Sequence, residues 1–224
     1  MYIGGDIVRD GLVLHLDAGS ERSYPKSGTI WKDLSGNRND GTLVNNVSFS
    51  NNVMSFDGTD DHVLIGNSNT YNSITNLTIE SLVKFKRVSS YEYIVSNARD
   101  CCGTYNGYEL RMSSNSRLTF SLWNSSAVTL TSSTTMNLET FYHIVATYDG
   151  TVMKLYVNST LNNSLNTTAG IGTPATYNLR VGAMGLSGIY ELLGDIGFVK
   201  IYNRALTADE VEKNYNATKK RFGL

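Results

Sequence analysis

The sequence predicts an all-β protein: two antiparallel sheets packed as a sandwich, with one short C-terminal helix. Three observations carry this. Apolar residues recur with period two in many short runs, the spacing that gathers them on one face of a strand. Neutral polar residues fill the gaps: 23 Asn, 24 Ser and 22 Thr make up nearly a third of the 224 residues. Their short side chains compete for backbone hydrogen bonds, so they suit turns and disfavour helix interiors. One clear helix-start signature occurs, the capping box Thr207-Ala-Asp-Glu210 near the end of the chain.

The first strand is predicted over residues 11–17, where Leu12, Leu14 and Leu16 oppose Val13, His15 and Asp17. Short runs of the same kind follow at 53–56 and 62–65. In residues 77–86, Leu77, Ile79, Ser81, Val83 and Phe85 share one face. Further strands are predicted at 93–95, 108–112 and 118–123. The strongest local signal is residues 141–148, then Asp149-Gly150, then 151–157. An Asp-Gly pair between alternating runs favours a two-residue hairpin with both turn positions at positive φ. Asn158 and Ser159 close that second strand. The remaining strands fit 179–182, 190–193 and 195–202. The helix is predicted over 207–219, with Thr207 as N-cap, Glu210 at N3, and Leu206 and Val211 placed as a hydrophobic staple. Lys219, Lys220 and Arg221 follow where cations suit the helix dipole.

Composition narrows the partners. The net charge is −1 with only 17% charged residues, so no basic field exists for a phosphate backbone and nucleic acid is excluded. No run approaches the roughly 18 apolar residues of a membrane span. Residues 1–11 lack an apolar h-region, so no secretory leader is expected. The adjacent Cys101 and Cys102 do not suit an unstrained disulfide, and His15, His62 and His143 lie too far along the chain to complete a zinc site with them. Two reduced thiols without a role are expected. No linker composition divides the chain.

Seven stretches occur in one order: Gly11-Leu-Val-Leu-His-Leu-Asp-Ala-Gly19; Trp31-Lys-Asp-Leu-Ser-Gly-Asn37 with Gly41-Thr-Leu43; Phe56-Asp-Gly-Thr-Asp-Asp-His-Val63; Leu77-Thr-Ile-Glu80; Phe141-Tyr-His-Ile-Val-Ala-Thr-Tyr-Asp-Gly150; Leu155-Tyr-Val-Asn158; and Ile201-Tyr-Asn-Arg-Ala-Leu206 with Glu210-Val211. The series resembles the laminin-G-like, concanavalin A-like jelly-roll domain, and more narrowly versions encoded by bacteriophages and marine microbes. The resemblance runs from about residue 10 to the C-terminus. It implies a two-sheet antiparallel jelly-roll sandwich over 11–224, one sheet concave, with ligands on that face or at the loops. Residues 1–10 are then a docking strand or a disordered leader.

The resemblance also implies where chemistry could sit. Relatives hold calcium near the sandwich rim, and Asp33, Ser35, Asn37 and Asn39 offer oxygens at every second position, with Asp57, Asp60 and Asp61 as a second acidic loop. Asx-turns are the competing reading of both loops. The acidic pair of the family's last strand is replaced by Gly197 and Phe198, with Asp195 upstream. A sugar needs aromatic faces and planar polar groups. Tyr91, Tyr93, Tyr105, Tyr108 and Trp123, near Asn106, Arg111 and Asn124, supply both; the competing reading is that tyrosine is simply a good strand residue.

Glycanases of this fold carry paired carboxylates on one strand, as in Glu-x-Asp-x-Glu, and none of the eight glutamates here belongs to such a triplet. No Gly-x-Ser-x-Gly occurs either. The expected function is therefore non-catalytic: a bacteriophage virion structural or adhesion protein, capsid-decorating or fibre, whose jelly roll binds host-surface glycan. A purely structural protein–protein module and a glycan-active enzyme are the alternatives. Expected partners are other virion proteins, a second copy, or host-surface glycan; the expected location is the virion, assembled in the host cytoplasm. Calcium is the one cofactor considered.

Overall fold

A computed structural model describes residues 6–66, 69–88, 91–98, 105–173, 178–184 and 190–224. Cys101 and Cys102 lie outside the described residues. The strands in chain order are β1 (Leu12–Asp17), β2 (Ile30–Trp31), β3 (Gly41–Val44), β4 (Ser48–Ser50), β5 (Val53–Asp57), β6 (His62–Ile65), β7 (Leu77–Phe85), β8 (Tyr91–Ser96), β9 (Asn106–Ser113), β10 (Arg117–Asn124), β11 (Ser126–Thr135), β12 (Phe141–Tyr148), β13 (Val152–Val157), β14 (Thr160–Asn166), β15 (Leu179–Val181) and β16 (Leu193–Tyr202). One helical turn, α1 (Asn69–Asn72), precedes β7, and α2 (Ala208–Thr218) follows β16.

The strands form two antiparallel sheets. The first has the order β14-β13-β12-β7-β16-β5-β4, with β1 pairing β16 beside β5. The second has the order β11-β10-β9-β8-β15-β6-β3-β2. The shuffled order is that of a jelly roll. Alternation sends Leu14, Leu16, Ile79, Val83, Ile144, Val199 and Ile201 from the first sheet inward. They meet Val63, Ile94, Leu110, Met112, Leu118, Phe120 and Leu122 of the second in one continuous core.

The outer face of the first sheet is covered by the C-terminal helix. A row of register partners crosses it: His15, Lys200, Glu80, Val145 and Tyr156. Glu80 has no solvent exposure; it accepts from Lys200 Nζ at 2.7 Å, His143 Nε2 at 2.9 Å and, from the helix above, Asn214 Nδ2 at 2.6 Å. Asn214 in turn accepts from Val8 N at 2.8 Å. Val145, Tyr156, Tyr202, Leu206 and Val211 close an apolar ring around this polar centre. The capping box forms as expected, with Glu210 also holding Arg204 through two 2.7 Å contacts. Beyond the helix, Arg221 forks onto Asp17 at 2.8 and 3.0 Å.

Several expectations change in detail. The hairpin after β12 turns one residue later than Asp149-Gly150. Gly150 and Thr151 are the central residues, Asp149 N meets Val152 O at 3.4 Å, and only Gly150 has positive φ, at 95°. That is the glycine-first pattern of a two-residue loop. Asp149 Oδ1 stays outside the turn and accepts from Thr151 N, Thr151 Oγ1 and Val152 N. Residues 190–193 form no separate strand; β16 starts at Leu193 and runs through a bulge between Ile196 and Phe198. Asn158 and Ser159 both take positive φ and lead into an unforeseen strand, β14. β14 and β11 are edge strands rich in Asn, Ser and Thr, and their side chains zip the two edges together: Asn163 Nδ2 donates to Thr131 O and Asn162 Oδ1 accepts from Ser133 N. β11 turns only Val128, Leu130 and Ser132 inward and β14 only Leu165, so the apolar alternation in their sequences is short. Residues 6–10 form no strand; Val8 is buried against α2.

Candidate functional site

The outer face of the second sheet carries a cleft of about 240 Å³ lined by Tyr91, Tyr93, Ala98, Tyr105, Glu109, Arg111, Trp123, Met184 and Tyr190. Strand alternation builds it. Tyr91 and Tyr93 come from β8, Glu109 and Arg111 from β9, Trp123 from β10, and the register sets Tyr93 against Arg111. Gly107 faces Trp123 across the β9–β10 ladder with φ at 117°, a position that would press any Cβ to 2.6 Å from Asn97 Oδ1. Tyr105 stacks on the Trp123 indole, ring centres 4.8 Å apart and 22° from parallel.

The other wall is a tyrosine cluster. Tyr190 meets Tyr91 edge-on at 5.1 Å and stacks over Tyr93 at 6.3 Å. Arg111 is fixed between them. Its guanidinium lies 4.0 Å from the Tyr91 ring centre, Nε donates to Thr119 Oγ1 at 3.1 Å and Nη1 to Tyr93 Oη at 2.9 Å. Nη2 stands 3.3 Å from Glu109 Oε1, close enough for an ion pair but without hydrogen-bond alignment. Burial pushes the Glu109 carboxyl above its ordinary range, opposed by the Arg111 charge and by the nearby Ser121, Trp123 and Tyr93. Burial likewise raises the Tyr93 phenol. The arrangement can stack a flat apolar face against rings and exchange hydrogen bonds at its floor.

Of the residues expected here, Tyr91, Tyr93, Tyr105, Arg111 and Trp123 come together in the cleft. Tyr108 does not. It sits one position out of phase, points into the core with no exposure, and donates to Tyr71 O at 3.1 Å, so it has no face to offer a ligand. Asn106 and Asn124 pair at the strand ends: Asn106 Oδ1 accepts from Ser125 N and Asn124 Nδ2 donates to Ala169 O. Glu109 was missed, although its place two residues before Arg111 puts both on one face of a strand. Tyr190 arrives from a distant loop, and no local spacing announces it.

The calcium reading fails at the first loop. Both Asp33 oxygens are occupied, accepting from His15 N, Ser35 N, Ser35 Oγ and Asn39 N between 2.7 and 3.0 Å. Asn37 and Asn39 turn their amide nitrogens inward to carbonyls of β1, including Val13 O at 2.9 Å from Asn39. The loop is a knot that anchors β1, with donors where a cation needs oxygens. In the second loop, Asp57, Asp60 and Asp61 bring one carboxylate oxygen each within 4.8 Å. Asp61 is buried and accepts from Asn46 N and Asp57 N, and Asp57 Oδ1 accepts from Thr59 N. Asp57 and Asp61 thus serve as acceptors for the loop's own backbone, as in the Asx-turn reading. Asp195 is also engaged, by Lys84, Lys86 and Ser55.

No curated protein matches the sequence. Among solved structures, the fold is similar to Trypanosoma rangeli sialidase, with a TM-score of 0.69 at 16% identity over 94% of this chain and 33% of that one. The same sialidase in complex with sialic acid matches with a TM-score of 0.68 at 15% identity, covering 98% of this chain and 36% of that one. The binding domain of Paraclostridial mosquitocidal protein 1 matches with a TM-score of 0.68 at 15% identity over 93% of this chain and 52% of that one. The chain thus spans about a third to a half of these structures, and at such identities the likeness is one of fold. The sequence profile of the concanavalin A-like lectin/glucanases superfamily, in its laminin G branch, matches residues 57–212. That match runs from the end of β5 through β6–β16 to the start of the C-terminal helix, more than half of the chain, and the chain belongs to this superfamily.

Proposed function

We propose that the protein is a non-catalytic adhesion module of a bacteriophage virion, capsid-decorating or fibre, that recognises host-surface glycan through the outer cleft of its second sheet. The observation that carries the glycan reading is the stacked Tyr105–Trp123 pair facing the Tyr91–Tyr93–Tyr190 cluster across Arg111 and Glu109. Aromatic faces take the apolar side of a pyranose, and the polar floor takes its hydroxyls. At about 240 Å³ the cleft suits a single ring rather than a long chain. Among the described residues its lining holds one carboxylate, Glu109, where hydrolysis by paired acids uses two. The phage setting rests on the ordered motifs that resemble phage-encoded jelly rolls.

The test of glycan recognition is an array of immobilised oligosaccharides probed with wild type and Trp123→Ala. Binding by the wild type and its loss in a variant that melts normally support the reading. An array with no binding makes the domain a protein–protein module. Recovery of the protein from purified phage particles tests the virion part, and its absence from them overturns it.

A further inference from the structure

We propose that Lys200 and Asn214 condense into an intramolecular isopeptide bond, with Glu80 carrying the protons, and that this bond locks the C-terminal helix onto the first sheet. The three groups meet on one carboxylate. Glu80 Oε1 accepts from Lys200 Nζ at 2.7 Å, and Oε2 accepts from Asn214 Nδ2 at 2.6 Å. Register on β16 and β7 sets Lys200 against Glu80, and Asn214 comes from the buried face of α2. An amine nucleophile and an amide leaving group are thus held against the same base. The amide oxygen is addressed too: Asn214 Oδ1 accepts from Val8 N at 2.8 Å. That backbone N–H points where negative charge gathers when an amine adds to Cγ, as an oxyanion donor does. Tyr202 Oη accepts from Asn214 Nδ2 at 2.9 Å and donates to Val8 O at 3.1 Å, which fixes the amide plane.

The surroundings favour reaction over hydrolysis. Glu80 and Asn214 have no solvent exposure and Lys200 has 1%, and the Phe198 ring centre lies 4.3 Å from Nζ, so water is kept from the amide. The step balances with no further reagent. Lys200 Nζ passes a proton to Glu80 and adds to Asn214 Cγ, forming the new C–N bond. The tetrahedral centre collapses with cleavage of Cγ–Nδ2. Lys200 gives up two protons in all, and Glu80 relays them to the departing nitrogen. An ammonium and a primary amide become a secondary amide and an ammonium ion, and Glu80 is a carboxylate before and after. The ion pair and hydrogen bonds of this centre are those of the uncondensed chain. Reaction draws on the minor state in which Glu80 holds the Lys200 proton, and loss of ammonia means that state is needed once per molecule. Reaching the about 3–3.5 Å of a near-attack pair asks for a swing of the long Lys200 side chain from the carboxylate toward Cγ. A buried ionic cluster adds little stability over apolar packing, so condensation gives this one a use that packing does not. The bond closes residues 200–214 into a covalent ring, and α2 can no longer peel away from β16.

The experiment is the intact mass of the full chain after overnight incubation, folded, at neutral pH. The wild type is expected to be lighter than its sequence by one ammonia, about 17 Da. A succinimide at another asparagine loses the same mass, so a tryptic digest assigns the site. Trypsin does not cut at an acylated Lys200, and the bond yields one branched peptide joining residues 181–204 to residues 214–219. Lys200→Arg keeps a cation against Glu80 but cannot condense, and Glu80→Gln removes the base; both are expected to keep their full mass. If either variant fails to fold, the wild-type digest decides. A wild type of full mass, or a lost ammonia that maps to another asparagine, overturns the inference and leaves the cluster an ion pair that seats the helix. The branched peptide from folded Glu80→Gln overturns the proton-carrying role of Glu80.

Discussion

Glu80 and Lys200 meet at 2.7 Å beneath the C-terminal helix, and neither side chain is open to solvent beyond 1%. They are register partners on β7 and β16, and Asn214 of α2 reaches down to the second carboxylate oxygen. A buried pair of this kind gives little net stability over a well-packed apolar pair, but removing one partner leaves a charge stranded out of water. Its place here is to fix where the helix sits. Glu80→Gln is expected to destabilise by about 3 kcal/mol or more, and Lys200→Met with Glu80→Leu together by much less, measured by denaturant unfolding.

Acid should unfold the protein in two steps. Burial, with the Lys200 charge beside it, lowers His15 to about 4, so His15 is neutral in the fold and takes a proton more readily when unfolded. Stability is then lost as pH falls from about 6.5 towards 4. Glu80 is held down to about 2: burial works against its charge, but Lys200 and His143 outweigh it. Its contribution is full above about 4.5 and disappears as pH falls through 2. Melting curves across pH 2–8 should show both losses, and His15→Gln should shrink the upper one, leaving the part that comes from His62, which burial also lowers. A flat profile between 4 and 6.5 in the wild type would contradict the buried neutral histidine.

Gly150→Val is expected to destabilise by more than about 1 kcal/mol, because a β-branched residue resists the 95° φ that starts the β12–β13 turn. Thr151→Val, at the other central position, should lose only the bond from its hydroxyl to Asp149 Oδ1. Equal melting temperatures for the two variants would place the strained residue elsewhere.

Chelation tests the acidic loops. EDTA is expected to leave the melting temperature unchanged, since a native-state metal would raise it by mass action and the donor sets do not form a cage. Asp33→Ala should nevertheless destabilise by about 2 kcal/mol or more, since it removes an acceptor of four hydrogen bonds. A drop in melting temperature on EDTA that added calcium reverses would restore the metal reading.

Trp123→Ala and Tyr108→Ala should part company, although both residues belong to the same aromatic run of sequence. Trp123 lines the cleft, so its loss should abolish glycan binding and leave the melting temperature within a few degrees. Tyr108 is fully buried, so its truncation should cost about 3–5 kcal/mol, with any loss of binding following from loss of fold.

Much of the architecture was legible in the sequence because it follows from local rules. Period-two runs place the core-facing residues of β1, β7, β9, β10, β12 and β16, and the capping box at Thr207 starts α2 where it was expected. Alternation alone puts Tyr91 with Tyr93 and Glu109 with Arg111 on common faces. What local rules cannot supply is phase between strands. Whether a run's odd or even residues face the core depends on which neighbour it pairs with and in what register, and a one-residue slip inverts every side chain. That is why Tyr108 reads in sequence like its cleft neighbours and ends in the core. The polar edge strands β11 and β14 were invisible because, apart from Val128 and Leu130 on one and Leu165 on the other, Asn, Ser and Thr hold these edges and leave little apolar period to read. Tertiary structure alone brought Tyr190 to Tyr91, set Glu80, Lys200, His143 and Asn214 around one buried centre, and stacked Tyr105 on Trp123. Each of these joins residues whose separation along the chain carries no local energy, and only burial of a shared surface makes them neighbours.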